Sequence, residues 1–109
     1  MKKDVALITG ASRGIGLAAA RQLAKDGYRV GIISTGPQER YPDAVAALKA
    51  DGAEFYWFSG DLGSSADRAR IAREAVQTLG EIRILVNNAG IIKRIPMTEM
   101  SAAQFRQVI

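Results

Sequence analysis

At 109 residues the chain is long enough for one domain with its own core, and its 48% hydrophobic and 24% charged residues exclude disorder and carry no fibrous signature. There is no apolar run of about eighteen residues and no cleavable leader, because Lys2, Lys3 and Asp4 lead straight into a short strand, so a cytoplasmic protein with no membrane partner is expected. The absence of cysteine and histidine sets aside disulfides and argues against a metal site, and a net charge of +4 scattered along the chain fits a solvated surface and an anionic cofactor better than a nucleic-acid partner.

The first unit runs from Val5 to Gly27. Val5-Ala6-Leu7-Ile8 reads as a strand buried on both faces, followed by the glycine-rich turn Thr9-Gly10-Ala11-Ser12-Arg13-Gly14-Ile15-Gly16 and an amphipathic helix over Ile15 to Asp26. In that helix Ile15, Ala18, Ala19 and Leu23 form the expected buried stripe, Arg21 and Lys25 fall on the other face, and Gly27 supplies the stop. A second strand, Arg29 to Ser34, comes at once. The loop from Thr35 to Tyr41 leads through Pro42 into a helix over Asp43 to Asp51, with Val45 and Leu48 inward.

The third strand, Glu54 to Ser59, carries Phe55, Tyr56, Trp57 and Phe58 in a row, a pattern that suits an edge strand better than a central parallel one. Edge packing is preferred there over an aromatic ligand platform. Gly60-Asp61-Leu62-Gly63 forms the next turn, and Ser64 or Ser65 can cap a helix closed by Gly80, with Ala69, Ala72, Val76 and Leu79 inward and Arg68, Arg70, Arg73 and Glu74 outward. A fourth strand, Ile82 to Val86, runs into Asn87-Asn88-Ala89-Gly90. Strands alternating with helices imply an α/β fold with a parallel sheet and right-handed crossovers. Beyond it, Ser101 to Gln104 form a capping box and Met100 with Phe105 a hydrophobic staple, so a helix starts near Ala102. That helix reaches Ile109 in mid-pattern, and the expectation is a chain cut from something longer.

A strand, a tight turn and a helix N-terminus make a phosphate site, because backbone N–H groups and the positive end of the helix dipole converge there. The turn has the spacing Gly-x-x-x-Gly-x-Gly, which matches neither the Gly-x-Gly-x-x-Gly dinucleotide fingerprint nor a P-loop. Its glycines still have separable tasks: Gly10 for the sharp turn, Gly14 for close approach to a pyrophosphate, and Gly16 for close helix–strand packing. A ligand-free connection would also explain three glycines.

With Asp61 after the third strand and Asn87-Asn88-Ala89-Gly90 after the fourth, the chain resembles the cofactor half of the short-chain dehydrogenase/reductases, particularly those similar to 3-oxoacyl-carrier-protein reductases. The resemblance covers the whole chain and implies a partial Rossmann-like parallel sheet of order 3-2-1-4 whose fourth strand has a bare outer edge. It implies that Ser12, Arg13 and Ile15 line the phosphate and ribose path, that Asp61 takes the adenine amino group and the Leu62 N–H faces the same ring, and that Asn88, Ala89 and Gly90 face the adenosine ribose. Helix capping remains the alternative for Asp61, and sheet bracing is preferred for Asn87.

Cofactor choice turns on the end of the second strand, where an NAD site places a carboxylate on the ribose 2′-OH. Here Ser34-Thr35-Gly36 stands in that place, and Arg13, with Arg40 from the loop, can pair with a 2′-phosphate, so NADP is favoured over NAD. Members of the family reduce a carbonyl with a Tyr, a Lys four residues on, a Ser and an Asn. Neither the Tyr–Lys pair nor its companions can be assigned, since Tyr28, Tyr41 and Tyr56 are followed at that spacing by Ile32, Val45 and Gly60. The expected function is the cofactor-binding portion of an oxidoreductase acting on a carbonyl or alcohol substrate, as a homo-oligomer, with a non-catalytic nucleotide-binding or assembly module as the alternative.

Overall fold

The computed structural model describes residues 3–87 and 90–92. Its elements are β1 (Val5–Thr9), α1 (Gly14–Lys25), β2 (Arg29–Ser34), a 3-10 turn (Gln38–Arg40), α2 (Pro42–Ala50), β3 (Phe55–Ser59), α3 (Ser65–Leu79), β4 (Ile84–Asn87) and β5 (Gly90–Ile92). The strands form one sheet of order β3-β2-β1-β4-β5. The first four are parallel: Leu7 of β1 lies opposite Gly31 of β2 and Leu85 of β4, and Gly31 lies opposite Tyr56 of β3. The parallel pairing is what the alternation of strands and helices predicts, and the order 3-2-1-4 of these four is the Rossmann-like one that the resemblance implies. The aromatic strand is at the edge, as its composition suggests.

The far edge differs from expectation. Instead of a bare fourth strand, β5 pairs antiparallel with β4, placing Leu85 opposite Ile92, Val86 opposite Ile91 and Asn87 opposite Gly90. An open row of N–H and C=O groups invites pairing, and a hairpin closing over so few residues satisfies it at small entropic cost. The edge on which the assembly-module alternative rested is therefore occupied. Asn88, Ala89 and the helix expected from Ala102 to Ile109, with its box and staple, lie outside the described residues.

Alternation along each strand divides the core in two. Val5, Leu7, Ile33 and Leu85 point to the face covered by Ile71, Ala72, Ala75 and Leu79 of α3. Ala6, Ile8, Val30 and Ile32 point to the other face, covered by Ala20 of α1 and Leu48 of α2. Every residue of β1 is buried, which explains its unbroken apolar run.

Three helix faces are rotated from the expected stripes. In α1 the buried residues are Gly16 and Ala20, with Leu17, Leu23 and Ala24 packed partly against the core. Ile15 is turned out, 84% exposed, and Ala18 is exposed as well. The cause is Gly16: a Cβ there would lie 2.8 Å from the Gly10 carbonyl carbon and closer still to its oxygen, so only this glycine face can approach the turn. In α2 Ala44 takes the inward place expected of Val45, beside Leu48. In α3 Ile71 and Ala75 join Ala72 and Leu79, while Ala69 and Val76 are only half-buried, because Ile71 offers the larger apolar surface. Arg21 of α1 reaches Asp51, at the C-terminal end of α2, through Nε at 2.7 Å and Nη2 at 3.1 Å. This guanidinium hydrogen bond, reinforced by its charge, holds the Asp51 carboxyl below the usual carboxylate range and ties the two helices on that face together.

Candidate functional site

Parallel strands deliver their carboxyl ends to one rim, and a cleft of about 650 Å³ opens there. That volume lies within the range of ordinary small-ligand sites. Its walls come from three successive strand ends: Gly10, Ser12, Arg13, Gly14 and Ile15 after β1, Ile33, Ser34 and Thr35 at the end of β2, and Gly60, Asp61, Leu62 and Gly63 after β3. Nine of the residues expected at a cofactor site from the sequence therefore meet in one cleft. Gly16 lies behind it as the packing contact, and Gly90 stands in β5 opposite Asn87.

The first wall has the features of an anion cradle. Gly10 and Gly14 hold φ of 63° and 60°, a left-handed conformation that side-chain-bearing residues rarely adopt. A Cβ at Gly14 would meet nothing within 4 Å, so the backbone there is open to a close-approaching group. Among the described residues no side chain caps α1, its first turn has no acidic residue, and its first intrahelical bond runs from Leu17 N–H to the Arg13 carbonyl at 3.3 Å. Among the described residues Arg13 has no ion pair, and it stands exposed on the cleft wall. The N–H groups of the first turn, which have no partner among the described residues, the dipole and this guanidinium favour negative charge at one place, and the residues present fit a pyrophosphate.

The third wall is built differently. The Asp61 carboxylate accepts from Gly63 N–H at 2.8 Å, while Asp61 N–H donates to Asp67 Oδ2 at 2.8 Å. Ser64, not Asp61, caps α3 by accepting from Asp67 N–H. Asp61 thus closes an Asx turn that fixes its carboxylate at the rim, leaving Oδ2 for another partner. Arg68 donates to the Leu62 carbonyl at 2.6 Å and holds the same turn from behind.

The second wall contains a surprise. Ser34 is buried at 6% exposure, and its hydroxyl donates to the Gly36 carbonyl while accepting from Trp57 Nε1 at 2.9 Å. Its one proton is committed inside the protein, so of this pair Thr35, which is exposed, presents the free surface. Residues 34–36 bring no carboxylate to the cleft. Sequence reasoning missed Thr9, Ile33, Gly60 and Gly63 as lining residues, although strand ends and the glycines flanking Asp61-Leu62 were the available signals. Nothing in the sequence signals the Trp57 hydrogen bond.

Comparison with known proteins agrees with this geometry. The model of the short chain dehydrogenase family matches residues 4–109. A 3-oxoacyl-[acyl-carrier-protein] reductase of Staphylococcus epidermidis is 36% identical over 104 residues, covering 95% of this chain and 43% of the relative. Among solved structures, an actinorhodin polyketide ketoreductase with NADPH superposes with a TM-score of 0.73 at 34% identity, over 81% of this chain and 34% of the other. A 3-oxoacyl-[acyl-carrier protein] reductase from Brucella melitensis in complex with NAD gives a TM-score of 0.72 at 33% identity, over 83% and 34%. The chain spans less than half the length of these proteins.

Proposed function

This chain belongs to the short-chain dehydrogenase family, and from that premise we propose that residues 1–109 form a single dinucleotide-binding domain that prefers NADP(H). The observation that carries the reading is the uncapped N-terminus of α1 behind two left-handed glycines, facing a cleft with Arg13 at its mouth. In this reading the N–H groups around Gly14, Ile15 and Gly16 take the pyrophosphate, Ser12 and Arg13 the phosphate and ribose path, and Asp61 with the Leu62 N–H the adenine. Asn88, Ala89 and Gly90 complete the ribose side. Arg13 and the missing carboxylate after β2 favour a 2′-phosphate.

The bound nicotinamide would supply hydride chemistry toward a carbonyl or alcohol. The chain itself binds and orients the cofactor, because none of its tyrosines has a lysine four residues on, and the Ser, Tyr and Lys of carbonyl reduction have no counterpart here. We assign it as the cofactor-binding portion of such an oxidoreductase, inactive in turnover by itself. Titrating NADPH and NADH calorimetrically and then assaying the same sample for carbonyl reduction tests both parts. Tighter binding of NADPH with no turnover is expected; absence of binding to either dinucleotide, or measurable turnover, contradicts the reading.

A further inference from the structure

The loop after β2 is held from an unexpected direction. Trp57, the only tryptophan of the chain, lies on the edge strand opposite Ile32, yet its indole N–H reaches the end of β2, donating to Ser34 Oγ at 2.9 Å and to the Gly36 carbonyl at 3.2 Å. Ser34 donates to that same carbonyl, so two donors converge on one carbonyl oxygen. Tyr41 then stacks on the Trp57 ring, with centroids 5.7 Å apart and planes 23° from parallel. Both ends of the loop, Ser34 and Tyr41, are thereby pinned to one indole.

Between those ends the chain doubles back over Gly36. A Cβ on Gly36 would come within 3.0 Å of Arg40 Cδ, 3.0 Å of the Tyr41 hydroxyl and 3.1 Å of Arg40 Nη1, so the Arg40 side chain lies directly over the peptide that comes after Thr35. Arg40 is exposed and has no ion pair among the described residues. Its charge thus lies over Gly36, the residue that follows the cleft residues Ser34 and Thr35 along the chain, near the strand end where a dinucleotide's adenosine ribose is recognised. A long cationic side chain on a loose loop gives up rotamer freedom when it meets a phosphate, and a fixed loop reduces that loss.

We propose that Trp57 is a positioning residue for cofactor selectivity: through Ser34, Gly36 and Tyr41 it fixes the loop that holds Arg40 next to the ribose 2′ position. The proposal rests on the dinucleotide reading above. It assigns to the edge strand, which contributes nothing to the cleft wall before Gly60, a part in telling a 2′-phosphate from a 2′-hydroxyl. Ser34 acts here as a strut and not as a ligand.

Calorimetric titration of NADPH and NADH into Trp57→Phe, which keeps a ring for stacking and removes the N–H, reads the effect directly. NADPH affinity falls about tenfold and NADH affinity changes by less than about twofold. Arg40→Ala, an exposed change that leaves folding intact, gives a similar fall in the NADPH-to-NADH ratio, and the double variant adds little to either, because both changes remove one coupled interaction. Tyr41→Leu, which removes the stack without touching β3, lowers the same ratio about threefold and serves if Trp57→Phe does not fold. Equal loss for both cofactors, an unchanged ratio, or losses that add fully in the double variant overturn the proposal. Failure of the wild-type chain to bind either dinucleotide overturns the cofactor reading and this inference with it.

Discussion

Two turns at the same rim of the sheet, after β1 and after β3, use opposite economies of hydrogen bonding. In both, a strand ends, a glycine comes next and a helix begins within a few residues. After β3 most polar groups satisfy one another: Asp61 with Gly63 and Asp67, Ser64 with Asp67, Arg68 with the Leu62 carbonyl and Arg70 with the Ser59 carbonyl, while the buried Arg68 Nε has no partner among the described residues. After β1 the turn is tied to the neighbouring strand by Gly10 N–H, which donates to the Ile33 carbonyl at 2.9 Å, and α1 begins with no side-chain cap. A self-satisfied turn makes a rigid wall that displays one carboxylate. A turn that leaves its donors without protein partners can take an anion, and on the proposed reading the contrast marks the first wall as the one that would hold it.

The largest expected effect comes from attacking the geometry of the first turn. Gly16→Val drives a side chain into the Gly10 backbone and costs about 3 kcal/mol, enough to unfold a marginal domain, as urea denaturation monitored by circular dichroism will show. Next is the charge at that turn. Arg13→Ala weakens NADPH by about 2 kcal/mol, far more than it weakens NADH, and equal loss for both contradicts a 2′-phosphate partner. Arg13→Asp sharpens the point: it places a carboxylate at the uncapped α1 terminus, which raises the melting temperature of the free chain while abolishing NADPH binding.

The converse change at the self-satisfied turn is smaller and of another kind. Ser64→Ala removes the α3 cap and costs about 1 kcal/mol of stability, with no change in the NADPH-to-NADH ratio. The smallest effect lies away from both turns, at Arg21 and Asp51. Because the Arg21 hydrogen bond and charge lower the folded Asp51 pKa, its contribution is fully present above the ordinary carboxylate value of about 3.9 and is lost as pH falls through the lowered one. Thermal melts of Asp51→Asn and wild type should therefore differ at pH 7 and converge under strong acid.

The sheet was legible because strand and turn signals are local. Val5 to Ile8 is apolar without interruption since both faces are covered, and Phe55 to Phe58 announce an edge. Helix faces were less legible because their orientation is set by a contact between elements. Ile15 could be read as part of the buried stripe of α1 or as a cleft residue, and the close approach of Gly16 to Gly10 decides for the cleft. Ser34 shows the same limit at the site: its place at the end of β2 is evident from sequence, whereas the direction of its hydroxyl depends on Trp57, more than twenty residues away. The β4–β5 pairing was hidden for a similar reason, since Asn87 to Gly90 signal a bend whichever way the chain then runs, and only the open edge of β4 makes a short antiparallel return favourable.

The central claim is that the donors at the start of α1 are completed by the pyrophosphate of NADP(H). An amide-resolved NMR titration of the chain with NADPH tests it most directly. The account predicts saturable shifts, with the largest changes and new exchange protection at the Gly14, Ile15 and Gly16 amides and smaller changes at Thr35, Asp61 and Leu62. Saturable binding that leaves the α1 amides unmoved, or no binding at all, would contradict it.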